Sequence, residues 1–145
     1  MSDAPDRHAK AAASAWRMMF DLLMKSAPQR LESLQSRGLT PNDSRALFTL
    51  RDQGEPISAL ARQWRCDAST ATWLVDRLER AGLAERVGRE GDRRVKLVRL
   101  TEKGAATKEA LLAEHYRPPA ELSGLSAGEL EELVRLLGKA ERPDR

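Results

Sequence analysis

The sequence predicts a mainly α-helical fold that carries one small β-hairpin. Three observations lead there. Abundant Ala, Leu, Arg and Glu with only 4% aromatic residues favour helix. Apolar residues recur at helical spacing through most of the chain. The one clear exception is an arginine-rich stretch, A-E-R-V-G-R-E-G-D-R-R-V-K-L-V-R-L, that reads as two strands around a glycine-bearing turn.

Residues 1–7 read as disordered. From His8 to Ser36 the pattern is helical, with Trp16, Met19, Phe20, Leu23 and Met24 at spacings of three and four, continued by Leu31 and Leu34. Pro28 is expected to kink or break this helix. Apolar residues lie on more than one of its faces, so one face calls for a partner beyond its own domain. Thr40 and Pro41 are a good N-cap and first helical residue, and the helix they open is expected to reach about Asp52, with Ala46, Leu47 and Leu50 inward and Gly54 ending it. Pro56-Ile57-Ser58 begins a short helix holding Leu60, Ala61 and Trp64, and Arg65-Cys66 is the turn after it.

Asp67 caps the next helix, which ends at Gly82. Ala71, Leu74, Val75 and Leu78 form its apolar stripe. The opposite face carries Ser69, Trp73, Asp76, Arg77 and Arg80, flanked by Thr70 and Thr72. Small polar groups and arginines on an outward face suit contact with base edges and phosphates. Leu83–Val87 and Arg93–Leu100 are the two strands, with Gly88–Asp92 turning between them. Thr101 caps a helix reaching about His115, Pro118-Pro119 breaks it, and Ser126-Ala127-Gly128-Glu129 is a capping box for a last helix through Leu137, ended by Gly138. The order helix, turn, helix, basic hairpin is that of a winged helix-turn-helix.

At 145 residues the chain is long enough for one domain with a real core. Its net charge is +3 and its pI about 9.3, but the distribution is more telling. Seven Arg or Lys against three acids between Arg86 and Lys103 give that stretch alone a net +4, an electrostatic footprint suited to nucleic acid. A single cysteine excludes an intramolecular disulfide and fits a reducing compartment. With no membrane-length apolar run and no signal peptide, the sequence reads as soluble and cytoplasmic, without a membrane partner. Two isolated histidines and one cysteine lack metal-ligand spacing, and no cofactor is expected.

L-V-D-R-L-E-R-A-G-L (74–83) followed by D-R-R-V-K-L-V-R-L-T-E-K-G (92–104) strongly resembles the MarR family of bacterial transcription regulators, and the order of helices extends the resemblance over nearly the whole chain. The resemblance implies an obligate homodimer built from the terminal helices (8–37 and 105–140), a winged helix-turn-helix over 40–104 and disordered ends at 1–7 and 141–145. It implies a sequence-specific regulator, a repressor in most members, that binds a palindromic operator in double-stranded DNA and in many members releases it on binding a small aromatic or phenolic effector. By position, Asp67–Arg80 is the recognition helix. Asp92 and Arg94 match the family's wing D-x-R, in which the aspartate orients the wing and the arginine enters the minor groove.

Arg is the residue best suited to a narrow minor groove, and an acid two positions away can hold its guanidinium. Arg86, Arg89, Arg93 and Lys96 are expected on phosphates. Ser69, Thr70 and Thr72 are expected to touch DNA. Trp73, at a position where relatives more often carry a polar or basic residue, either touches thymine methyls or sugars or packs on the wing. Arg77 has no acid at i±4 and is expected on a phosphate or the wing, whereas Arg80 and Asp76 form a helical pair. Cys66 reads as a core residue rather than a redox sensor. Trp16, Met19, Phe20 and Phe48 are candidates for an effector pocket, although each alone reads more simply as core or dimer interface. A winged-helix module that docks protein through its hairpin is the competing class, with less reason to concentrate arginine there. An enzyme is the least favoured: the sequence has no phosphate loop, nucleophile–base pair or metal spacing.

Overall fold

The computed structural model describes residues 3–141, and side-chain environments over residues 5–141. Within them the chain forms α1 (Asp3–Gln35), α2 (Pro41–Thr49), β1 (Glu55–Pro56), α3 (Ile57–Trp64), α4 (Ala68–Arg80), β2 (Ala84–Arg89), β3 (Asp92–Leu100), α5 (Glu102–His115), a 3-10 turn (Ala120–Gly124) and α6 (Ala127–Glu141). The mainly α fold with a small hairpin wing is the one expected.

The chain divides into two compact units, residues 27–116 and residues 1–26 with 117–145. The first is the winged helix-turn-helix. Its core joins Leu47 of α2 and Leu50 just after it, Leu60 of α3, Val75 and Leu78 of α4, Val98 and Leu100 of β3 and Leu111 of α5, all buried. The sheet order is β1-β3-β2, antiparallel throughout, with Ala84 opposite Leu100 and Val87 opposite Leu97. β1 is an addition to the sequence reading. It pairs Glu55 with Val98 and Pro56 with Leu97 on the outer side of β3, an edge position where a proline costs no ladder bond on its free side.

Several boundaries differ from expectation. α2 ends at Thr49, not near Asp52, because Leu50 turns extended; its carbonyl accepts from the Lys108 ammonium of α5 at 2.8 Å. Helix α1 starts at Asp3, within the stretch read as disordered; Pro5 falls in the first turn, where its missing N–H removes no bond, and Lys10 pairs with Asp6 one turn on. α1 also runs unbroken across Pro28, with the Ser26 hydroxyl donating to the Leu23 carbonyl at 2.8 Å just before it. Helix α6 continues through Gly138 to Glu141, since one exposed glycine costs only about 1 kcal/mol against good helix formers on both sides. Met1, Ser2 and residues 142–145, also read as disordered, lie outside the described residues.

In the second unit no described residue is buried. Trp16, Met18 and Phe20 of α1 and Val134, Leu136 and Leu137 of α6 are all exposed, Met18 to 73% and Val134 to 70%. No helix among the described residues is long and apolar enough to cross a membrane.

Candidate nucleic-acid interface

Helix α4 is set by its two ends. The α3–α4 turn places Arg65 in the left-handed region (φ 54°), a conformation uncommon for a side chain larger than Asn or Asp. Asp67 then caps α4: its Oδ1 accepts the Thr70 N–H at 2.7 Å and the Ser69 hydroxyl at 2.9 Å. The bonds from Thr70 and then Ser69 hold that carboxyl below the usual carboxylate range. At the far end Gly82 takes φ +74°, as a helix-ending glycine does. Ala71, Leu74, Val75 and Leu78 are the buried residues of α4, so the predicted inward stripe is the observed one.

The outward face is more differentiated than the sequence shows. Ser69, Thr70, Trp73 and Arg80 are exposed, and Thr72 is half-buried. Arg77 corrects its expectation. Its Nε and Nη2 donate to Asp43 Oδ1 and Oδ2 of α2 at 2.8 and 2.7 Å, a bidentate pair on a carboxylate that is 1% exposed. Asp43 also closes a capping box, accepting the Thr40 N–H at 2.8 Å while its own N–H donates to the Thr40 hydroxyl. Burial pushes the Asp43 carboxyl up, but the Arg77 and Thr40 hydrogen bonds and the Arg77 charge outweigh it, so it sits below the usual value. Asp43 went unnoticed in the sequence. Its T-x-x-D cap was legible, but a partner 34 residues away leaves no local trace.

Arg86 is likewise engaged within the protein rather than free for a phosphate. It bonds Asp76 Oδ1 at 2.8 Å and the Glu79 carboxylate, and its N–H donates to Glu79 Oε1 at 3.1 Å. This ties the start of β2 to α4, and it takes Asp76 from the Arg80 pairing expected along the helix. Trp73 lies outside the core, 53% exposed, and its ring centroid is 5.2 Å from the Arg77 guanidinium carbon.

The hairpin turns at Glu90-Gly91, with Gly91 at φ +84° and a register irregularity at Gly88/Arg89. Arg89, Asp92, Arg93, Arg94 and Lys96 are all exposed. Asp92 Oδ1 accepts the backbone N–H of Arg94 at 3.2 Å. The aspartate therefore fixes the wing's backbone and leaves the Arg94 guanidinium free, where the sequence suggested it would hold the guanidinium itself. Among the described residues no ion pair engages Arg89, Arg93, Arg94 or Lys96, whereas Arg99 pairs with Glu85. Four unpaired cations on one hairpin make a positive edge beside the outward face of α4.

The hairpin is held at its base by Thr101. Its hydroxyl donates to the Gly82 carbonyl at 2.6 Å and accepts the Gly104 N–H at 2.9 Å. Cys66 departs from the core reading: it is half-buried on an open groove of about 260 Å³ shared with Asn42, Arg45, Trp64 and Thr70. Of the four effector candidates, Phe48 lines a cavity of only about 30 Å³ with Arg30, Leu34 and His115, where small-molecule sites usually span about 300–1,000 Å³. Trp16, Met19 and Phe20 belong to the other unit and are exposed there, with Trp16 and Phe20 6.4 Å apart.

A helix-turn-helix followed by a basic, exposed hairpin defines a winged-helix protein. Residues 39–104 match the family described as winged helix DNA-binding domain. The chain is 34% identical over 93 residues to the HTH-type transcriptional repressor MdtR of Bacillus subtilis, a match covering 63% of this chain and 60% of that protein's length. The YusO protein of Bacillus subtilis superposes with a TM-score of 0.77 at 27% identity, covering 96% of this chain and 98% of that one. A MarR family protein from Bacillus stearothermophilus superposes with a TM-score of 0.74 at 28% identity, covering 92% and 95% of the two chains. The chain is thus similar to winged-helix transcription regulators over residues 39–104 and to a MarR family protein over nearly its whole length.

Proposed function

We propose that the protein is a homodimeric, sequence-specific DNA-binding transcriptional regulator acting as a repressor on a palindromic operator. The observation that carries the reading is the pairing of an exposed α4 face with a hairpin whose Arg89, Arg93, Arg94 and Lys96 have no acidic partner. Residues 40–104 are the DNA-binding part in this reading. Ser69, Thr70, Thr72 and Trp73 face the major groove, and Arg94, on a wing oriented by Asp92, enters the minor groove. Arg89, Arg93 and Lys96 grip phosphates.

Dimerisation through 8–37 and 105–140 is supported by the unburied apolar side chains of α1 and α6, a patch of the kind that marks an interface. Two recognition helices then fall about 34–36 Å apart, one turn of duplex. Release by a small aromatic or phenolic effector belongs to the same reading and rests on the family resemblance. Titrating phenolic ligands against the protein–DNA complex tests it.

Genomic fragment selection followed by anisotropy titration checks the main claim. Three phosphate-gripping cations per protomer imply about six phosphates neutralised per dimer and a log–log salt slope of about −5. Affinity should then fall about 10³-fold between 50 and 200 mM salt. Arg94→Ala should weaken operator binding at least tenfold and leave the sedimentation mass at twice 16.2 kDa. Unchanged operator affinity in Arg94→Ala refutes the wing assignment, and a monomer at micromolar concentration refutes the dimer.

A further inference from the structure

We propose that Trp73 reads the C5-methyl group of a pyrimidine in the major groove, a specificity element that rests on the DNA-binding reading above. Trp73 lies on α4 nearly opposite the buried Ala71 and Val75 and is 53% exposed, the largest apolar side chain on that face. Its exposure is not that of a loose side chain. The Arg77 guanidinium stacks against the ring, with its carbon 5.2 Å from the centroid, and Arg77 is itself fixed by two hydrogen bonds to the buried Asp43. The Asp43 charge neutralises Arg77, so the guanidinium acts as a prop for the indole. A ring held this way presents its remaining surface with little rotamer entropy left to lose on binding.

The chemistry of that surface narrows what it can read. An indole has one N–H donor and no acceptor, so it cannot make the bidentate hydrogen bonds that identify guanine or adenine. The apolar feature on the major-groove edge is the C5-methyl of thymine, shared by 5-methylcytosine. The neighbours of Trp73 on this face are small. Ser69, one turn earlier, donates its hydroxyl hydrogen to Asp67 and Thr70 spends its N–H there, so the indole dominates the shape offered to the groove.

The test uses the full-length protein and its selected operator. Each thymine is replaced singly by uracil, which removes only the methyl, and cytosines are replaced by 5-methylcytosine in a parallel series. One position per half-site should respond by about fourfold, and by roughly fifteenfold when both half-sites are changed together. A loss on uracil identifies thymine as the natural source, and a gain confined to methylated cytosine identifies the modified base. Trp73→Ala should abolish the methyl dependence at that position while keeping the salt slope, the dimer and the helical circular dichroism. Trp73→Phe should retain part of it. Methyl dependence that persists in Trp73→Ala, or that is missing from the unaltered protein, overturns the proposal. Loss of all duplex binding by the unaltered protein overturns the DNA-binding reading as well, and so is told apart from failure of the methyl contact alone.

Discussion

Gly104→Ala should lower the melting temperature by about 10 °C, the equivalent of about 3 kcal/mol for a domain of this size. The cause is a close approach of backbones, not a strained glycine conformation. A Cβ built at Gly104 would lie 1.8 Å from the Leu83 carbonyl oxygen and 2.7 Å from its carbonyl carbon. Those are main-chain atoms, so no side chain can swing aside to relieve the clash. Leu83 is buried and leads directly into β2. Its carbonyl also accepts the Thr101 N–H at 3.1 Å, so the first turn of α5 and the entry to the wing are bonded at the point where the methyl would intrude.

Separating them would loosen the Thr101 bridge to Gly82 and shift the hairpin relative to α4. Operator affinity should therefore fall along with stability. A thermal melt of Gly104→Ala within 2 °C of the parent would show that the contact is not as tight as the geometry indicates.

Gly104 also shows where the sequence stops being legible. Features written in neighbouring residues were readable: the Asp67 cap, the Ala71/Leu74/Val75/Leu78 stripe, the Gly82 stop, the two strands and the Thr101 cap all stand where the pattern puts them. Features written between distant residues were not. β1 is two residues long and contains a proline, so nothing local marks it; it exists because Val98 and Leu97 offer it a ladder.

The same distinction sorts the candidate site. The exposure of Arg94 and Lys96 follows from their alternation with Val95 and Leu97 along β3, and Asp92 bonds the Arg94 backbone N–H and not its guanidinium. The partner of Arg77 is not legible because a linear reading offers only helix neighbours at i±3 and i±4, and those of Arg86 because a strand position gives no sign of the helix acids beside it. Their actual partners sit on α2 and, for Arg86, across the helix–strand junction. A basic count over the hairpin therefore overstates its free charge, since Arg86 pairs with Asp76 and Glu79 and Arg99 pairs with Glu85. The positive edge is concentrated in the four cations nearer the tip.

The Asp43–Arg77 pair should prove to be the most sensitive polar contact in the winged-helix unit. Asp43→Ala removes a capping-box acceptor, worth about 1 kcal/mol, together with the bidentate pair. The pair is discounted from the 3–5 kcal/mol of a fully buried one because the Arg77 side chain keeps 31% of its surface in solvent. A total of about 2–3 kcal/mol is expected. Arg77→Ala should be at least as damaging, since it leaves the Asp43 carboxylate buried with only Thr40 as a partner. The double variant should cost less than the two single losses added, because each single change removes the same bond.

The pair also fixes a pH signature. Asp43 titrates below its ordinary value of 3.8 in the folded protein, so the unfolded chain binds its proton first as pH falls. Its stabilisation is complete above that ordinary value, declines as pH drops through the lowered folded value, and is gone beneath it. Urea melts of the parent and of Asp43→Asn should therefore differ by a constant amount between pH 6 and pH 8 and converge below about pH 4. A gap that stays constant down to pH 3 would mean that the Asp43 charge contributes nothing and that the amide's shape alone accounts for the loss.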